Sequence, residues 1–302
     1  MKRLVLFSAI LLCGCSVKRY AINQLGNALA GTGTTFSADE DPELIRAAVP
    51  FSLKLVESLL AESPRHEGLL LAAARGFTEY AYAFVQEDAD ELEDTNKVAA
   101  TAMRVRAAKL YLRARNFGVR GLEVKHPGFA ERLKANPREA VKALKKSEAP
   151  LMYWTAISWG AALAASHDFA MLPEIPRFEA LMDRVLELDE AYDEGTAHTF
   201  MITYEMARLN GKGDLAARAA RAKEHFDRAV VLGGGHQAGP LVAYAENVLV
   251  PQKNKTEFQG MLRQALRVDI NASPENRELN LAVQRRARWL LSRTDKLFPE
   301  AR

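Results

Sequence analysis

Between Pro150 and Ser166 the chain reads Leu151-Met152-Tyr153-Trp154-Thr155-Ala156-Ile157-Ser158-Trp159-Gly160-Ala161-Ala162-Leu163-Ala164-Ala165, with no charged side chain. As a helix this segment is apolar on every side, so water cannot cover any wide face of it. It falls short of a bilayer span and must stand at the centre of a folded body, with other helices around it. Two of the three tryptophans, Trp154 and Trp159, lie here beside a stripe of small residues, Ser158, Ala161, Ala162 and Ala165. Small residues either admit neighbouring helices closely or leave room for a ligand. Composition leaves both open. The two tryptophans are five positions apart, roughly 140° around a helix, so one can face a cavity while the other packs.

The rest of the chain supplies the surrounding helices. Asp41 is an N-cap candidate with Pro42 at the first helical position. Leu44, Ala48, Phe51, Leu55 and Leu59 then recur at steps of three and four, which predicts one buried face. Helical patterns follow at 66–88, 94–117, 137–146, 150–167, 174–190, 195–210, 214–232, 238–250, 254–269 and 274–298. Between them stand Pro127, Pro137, Pro150, Pro173, Gly211-Lys212-Gly213, Gly233-Gly234-Gly235, Pro251 and Pro274. No run of period-two alternation interrupts them, so the expected fold is all-α. Arg184–Asp189, Phe226–Leu232 and Leu262–Asp269 resemble successive second helices of tetratricopeptide repeats, predicting stacked helix hairpins. The segment 277–298 would close the stack through Leu279, Val283, Ala287, Leu290 and Leu291, with Arg285, Arg286 and Arg288 directed away from most of that face.

The amino terminus reads as an address. Met1-Lys2-Arg3 precedes an apolar run from Leu4 to Leu12 and then Cys13-Gly14-Cys15-Ser16, the layout of a secretory signal. Leu12-Cys13-Gly14-Cys15 resembles a lipobox, which assigns residues 1–14 to the signal and makes Cys15 the acylated residue. The alternatives are an ordinary signal cut elsewhere and an uncleaved anchor. Residues 15–40, with Gly31-Thr32-Gly33-Thr34-Thr35, read as a flexible tether, and 41–302 as a single helical domain. The chain has two cysteines. Cleavage would leave only the acylated one, so stability must come from an apolar core, for which 48% hydrophobic residues suffice. The formal charge of +3 falls closer to neutral without Lys2 and Arg3, which gives no reason to expect nucleic acid. Ser16, rather than Asp, after the cysteine points to the outer membrane.

Motifs for catalysis are absent: there is no HExxH, GxSxG, GxxxxGK[ST] or CxxC. The six histidines are scattered singly, so no catalytic residue, metal or cofactor is assigned. Gly233-Gly234-Gly235 reads as a helix-ending turn. The acidic run from Glu87 to Asp94 lacks the spacing and glycine of a calcium loop and reads as a solvated junction between helices.

Tyr80-Ala81-Tyr82-Ala83-Phe84-Val85-Gln86, Arg106–Gly118, Leu151–Trp154 continuing through Ser158-Trp159-Gly160, and Ala287-Arg288-Trp289-Leu290-Leu291 together resemble a known family. It is the tetratricopeptide-containing lipoprotein family associated with tripartite ATP-independent periplasmic (TRAP) transporters, the TatT component. The likeness is collinear over about 40–298. It implies a non-enzymatic helical body with a cavity or pore, the transporter's soluble substrate-binding protein as partner, and a small organic-acid or apolar ligand. Pore geometry and oligomeric state do not transfer, and self-association stays open. With the bottom-up reading it nominates Trp154, Ser158 and Trp159, opposite Tyr80 and Phe84, as cavity wall. Arg113 and Arg115 are candidates to meet an anion or partner, with internal ion pairs as the competing reading. The rival functions are a ligand-free envelope scaffold and an envelope hydrolase. The hydrolase would need two histidines and a carboxylate within hydrogen-bond reach in one pocket.

Overall fold

The computed structural model describes residues 20–31, 36–166, 168–208 and 214–299. The proposed signal and Cys15 lie outside the described residues. The described residues are helical throughout and contain no strand. A helix at 20–30 (α1) precedes α2 (Pro42–Glu62) and α3 (Glu67–Ala81). A π-helical turn at Tyr82–Gln86 leads into α4 (Glu87–Leu92), α5 (Lys97–Lys125), α6 (Phe129–Ala135) and α7 (Pro137–Ala140). Then come α8 (Ala149–Ser166), α9 (Ile175–Asp189), α10 (Thr196–Ala207), α11 (Leu215–Leu232) and α12 (Gly239–Tyr244). A second π-helical turn at Ala245–Leu249 precedes α13 (Lys255–Ala265), α14 (Arg277–Ser292) and α15 (Thr294–Leu297).

The uncharged segment is α8, and it is central. It packs along α5 and α9 and also touches α3, burying Leu151 to Ala156, Ser158, Trp159 and Ala162. Gly118 and Gly121 of α5 make the close approach. A Cβ at Gly118 would overlap the Thr155 side chain, and one at Gly121 would press on Leu151. These glycines are contact points rather than helix ends, which is why α5 runs on to Lys125 instead of stopping near 117.

Caps form where local chemistry demands them. The Asp41 carboxylate accepts from the backbone N–H groups of Glu43 and Leu44 at 3.0 and 3.1 Å. The buried face of α2, however, is Ile45, Leu53, Val56, Leu59 and Leu60. Leu44 and Phe51, expected inside, are 56% and 73% exposed. Two apolar stripes overlap on this helix, and periodicity alone does not choose between them. At the far end of α11, Gly233 donates to Ala229, and Gly234 and Gly235 take φ of 56° and 84°, forming the turn expected there.

Part of the expected tether is docked. The His66 Nδ1 caps α3 by accepting from Leu69 N–H at 3.2 Å, so its Nε2 carries the proton donated to the Asn23 carbonyl in α1 at 3.3 Å. Ser63 Oγ donates to Asn23 Oδ1 at 2.9 Å. Further along, Arg277 donates to the Ala38 carbonyl at 2.6 Å. The body therefore includes 20–31 and 36–40. The apolar residues of α1 find a surface there, which flexible-linker composition did not convey.

Two large apolar cores result, with a small third cluster of Ile45, Ala83 and Phe84 against which Ala282 of α14 packs. The first runs from α2 to α10 and includes Ala197 and Met201. The second runs from Ile202 to Leu290, so α10 serves both. The chain's end returns to its beginning, as α14 packs on α12 and α13 and also meets α2. The joint is charged. Arg286 lies 2.9 Å from Asp90, 2.5 Å from Glu246 and 3.5 Å from Glu87, with its guanidinium 4.4 Å from the centre of the Trp289 ring. Arg285 bonds Asp88 and Glu91 at 2.8 and 2.6 Å, Arg293 bonds Asp94 at 2.5 Å, and Lys296 also pairs with Asp94. From other sides Arg46 holds Asp88 and Arg104 holds Asp90. The acidic run is thus not a solvated junction but the seat of the closing helix. Arg285 and Arg286 point into it.

Arg286 is buried at 11% side-chain exposure. Removing one member of a buried, hydrogen-bonded charge cluster strands its partners. Arg286→Ala should therefore lower stability by about 3–5 kcal/mol, measured by urea denaturation. The exposed Arg288→Ala should change it by less than about 0.5 kcal/mol.

Candidate functional site

Beside the seat of α14 on α4 lies a two-lobed cavity that is partly open to solvent. One lobe, of about 380 Å³, lies among α3, α8, α10, α12 and α14. The other, of about 390 Å³, lies beneath α2 and α3. Ser37, Arg75, Glu79 and Glu278 border both lobes and form the waist between them. The second lobe is mostly apolar away from the waist, with Leu29, Ile45, Val49, Leu53, Val56 and Phe84 in its wall. The first mixes aromatic rings with threonines and carboxylates.

Both π-helical turns open onto the first lobe. Tyr82 and Gln86 come from one, Glu246 and Asn247 from the other, and Glu246 joins Glu87 around Arg286. Such turns shift the register of a helix by one residue and gather at functional sites. A third irregularity lies at Asp193, Glu194 and Gly195, whose φ values are 47°, 55° and 82°. For the two acidic residues this left-handed geometry is strained. Glu194 is held there by Gln237 and Asn276 at 3.0 and 2.9 Å, and Asp193 faces the cavity.

At the waist Arg75 donates to Glu79 one turn along α3 at 2.8 Å, and its guanidinium lies 5.5 Å from the Trp154 ring centre. The 31% exposure of the Glu79 side chain is exposure to the cavity. Glu278 has no hydrogen bond or ion pair with any described residue. Desolvation pushes its carboxyl up to about 8, with the neighbouring Glu79 adding to the rise and Arg75 opposing it. Desolvation also raises Glu79 and Asp193, and raises Glu87 to about 7.

The nominated residues divide. Trp154 borders the first lobe, edge-on to Tyr153 at 5.1 Å. Tyr80 and Phe84 border the second, their rings 5.7 Å apart. Ser158 and Trp159 do not border the cavity. Ser158 Oγ donates to the Thr155 carbonyl at 3.0 Å, within the packed side of α8. Trp159 Nε1 donates to Glu174 at 2.7 Å, with Arg115 over its ring at 5.0 Å. The 140° between the tryptophans sends one to the cavity and the other to the core. Arg113 pairs with Glu57 over Phe77, and Arg115 with Glu174 at 3.0 Å, so both meet anions of their own chain.

Arg75, Glu79, Asp193 and Glu278 were not singled out from sequence. They come from three distant segments, and nothing in local spacing joins them. The same holds for His198 and His225, whose Nδ1 atoms are 2.9 Å apart, with Glu190 3.4 Å from His198 Nε2. That brings two histidines and a carboxylate together, but they border none of the cavities described here, so the condition for a hydrolase is half met. No group of three or more metal-ligating side chains gathers among the described residues.

The raised carboxyls have a consequence for stability. A carboxyl whose folded value lies above its unfolded value near 4.5 stabilises the fold at low pH, and that contribution fades as pH rises through the folded value. Between pH 5 and pH 8.5 these carboxyls should lower the melting temperature, against the opposite pull of His198 and His225, which burial holds below the ordinary histidine range. Glu278→Gln should raise it by a few degrees at pH 8.5 and leave it nearly unchanged at pH 5, read by calorimetry.

Comparison with known proteins follows the same lines. The family model described as TRAP transporter T-component matches residues 38–298. An uncharacterized protein of Treponema pallidum (strain Nichols) is 29% identical over 97% of this chain and 96% of its own length.

Proposed function

The chain belongs to the TRAP transporter T-component family, and on that premise we propose that it is a periplasmic, lipid-anchored binding module serving such a transporter. Membership carries association with the transporter. The finer reading is that this body docks the soluble substrate-binding component and receives a small organic ligand in its cavity. The two-lobed cavity carries this reading. Its volume suits a small molecule, and it is built from residues of all three thirds of the chain. Trp154, Tyr80 and Phe84 supply aromatic wall, while Trp159 and Ser158 hold α8 in place behind it. Acylated Cys15 would keep the body at the membrane, on the outer-membrane side if sorting follows Ser16. The stacked helices resemble degenerate tetratricopeptide hairpins, an architecture suited to gripping a partner protein.

Recovery of this protein from solubilised membranes should bring down the substrate-binding component of a TRAP transporter. Native mass spectrometry of the complex should show a bound small molecule that Trp154→Ala diminishes at least tenfold. Recovery of the lipoprotein alone, with no added mass, would support a ligand-free scaffold instead.

A further inference from the structure

The waist of the cavity specifies the charge of what it holds. Six carboxylates and two guanidiniums border the two lobes. Both guanidiniums are already engaged, Arg286 by Glu246 and Asp90 and Arg75 by Glu79. An organic anion would find no free cation among the described residues of the wall and would meet Glu79, Asp193 and Glu278 instead. Glu278 in particular is shielded from bulk water, borders both lobes and makes no hydrogen bond or ion pair with any described residue, with only the already engaged Arg75 acting on it as a counter-charge. Burying a carboxylate without a counter-charge is costly, so the site is incomplete until a cation or a proton reaches it. The strained turn at Asp193 holds a second unpaired carboxylate in the same cavity.

We infer that the waist binds the ammonium group of a small organic cation, whose apolar portion lies in the lobe lined by Leu53, Val56 and Phe84. Two observations set this ligand class. Trp154 and Tyr153 stand at the first lobe beside the waist, and ring faces attract ammonium groups. The apolar lobe directly adjoins the carboxylates, so one amphipathic molecule can satisfy both. This departs from the organic acid that the family resemblance implied. The groups acting on Glu278 are Glu79 and Arg75 from α3, while Asp193 from the turn before α10 and Glu275 from the short turn before α14 line the same lobe. Without a ligand, burial and the neighbouring Glu79 favour the protonated form of Glu278. An arriving ammonium displaces that proton.

The inference rests on the cavity being a ligand site, and the test separates the two. Hexylammonium, hexanol and hexanoate are titrated calorimetrically into the full protein in lipid nanodiscs, with empty nanodiscs as blank. The expected order is hexylammonium tightest, hexanol at least tenfold weaker and hexanoate weaker still. Glu278→Gln should reduce hexylammonium affinity at least tenfold while leaving hexanol unchanged, which also shows that the variant is folded. Equal binding of all three, or tighter hexanoate, would overturn the cation and leave the ligand cavity standing. No binding of any of the three would overturn both.

Discussion

Arg286 stands where the last long helix meets the first third of the chain, and the shape of the cavity depends on what holds it there. A stack of helix pairs is by construction open: each pair buries itself against its neighbours, and the concave side stays a groove. Here α14 crosses back to α4 and α2, and the groove becomes two lobes. Apolar burial secures each half, through Leu69, Tyr111 and Met152 in one and Phe258, Leu262 and Val283 in the other. Between the halves the grip is a cluster of arginines on aspartates and glutamates. Such a joint is specific in geometry and sensitive to salt and to single substitutions.

Much of the fold could be read from residues because the signals were local. The uncharged stretch at 150–166 announced a central helix, and Asp41-Pro42 announced a helix start. The spacing of Trp154 and Trp159 allowed one to face a cavity while the other packed, and they do part company. What failed to show was of two kinds. In α2, the stripes through Leu44 and Phe51 and through Ile45, Leu53 and Val56 are both apolar, and only the neighbouring helix decides which is buried. Gly118 likewise looks like a stop and is a contact. The second kind is long-range pairing. Glu87 to Asp94 is a run of acids with no local partner for most of its members, and the arginines that complete it lie about two hundred positions away. Periodicity carries no record of that.

The candidate site was legible in outline and not in chemistry. Aromatic residues at 80, 84 and 154 do border the cavity, but the groups that set its character are carboxylates at 79, 193 and 278. Each is unremarkable in sequence. Together they make the interior acidic, in contrast to the near-neutral whole, because the available guanidiniums are consumed in holding helices together. Arg113 and Arg115 follow the same rule at the outer side of α5. Structural arginines leave the cavity negative, and its preference for a cation follows from the way the fold is closed.

The account stands on α14 lying closed against α4 in the resting protein, and the scarcity of cysteines makes this measurable. Spin labels at Val98→Cys, 83% exposed at the start of α5, and at Arg288→Cys, exposed on α14, would report the separation of the two halves by pulsed electron resonance. A single narrow distance distribution at physiological salt, broadening when Arg285 and Arg286 are both replaced by Gln, is the predicted result. A broad distribution in the otherwise unaltered protein, indifferent to those replacements, would contradict it.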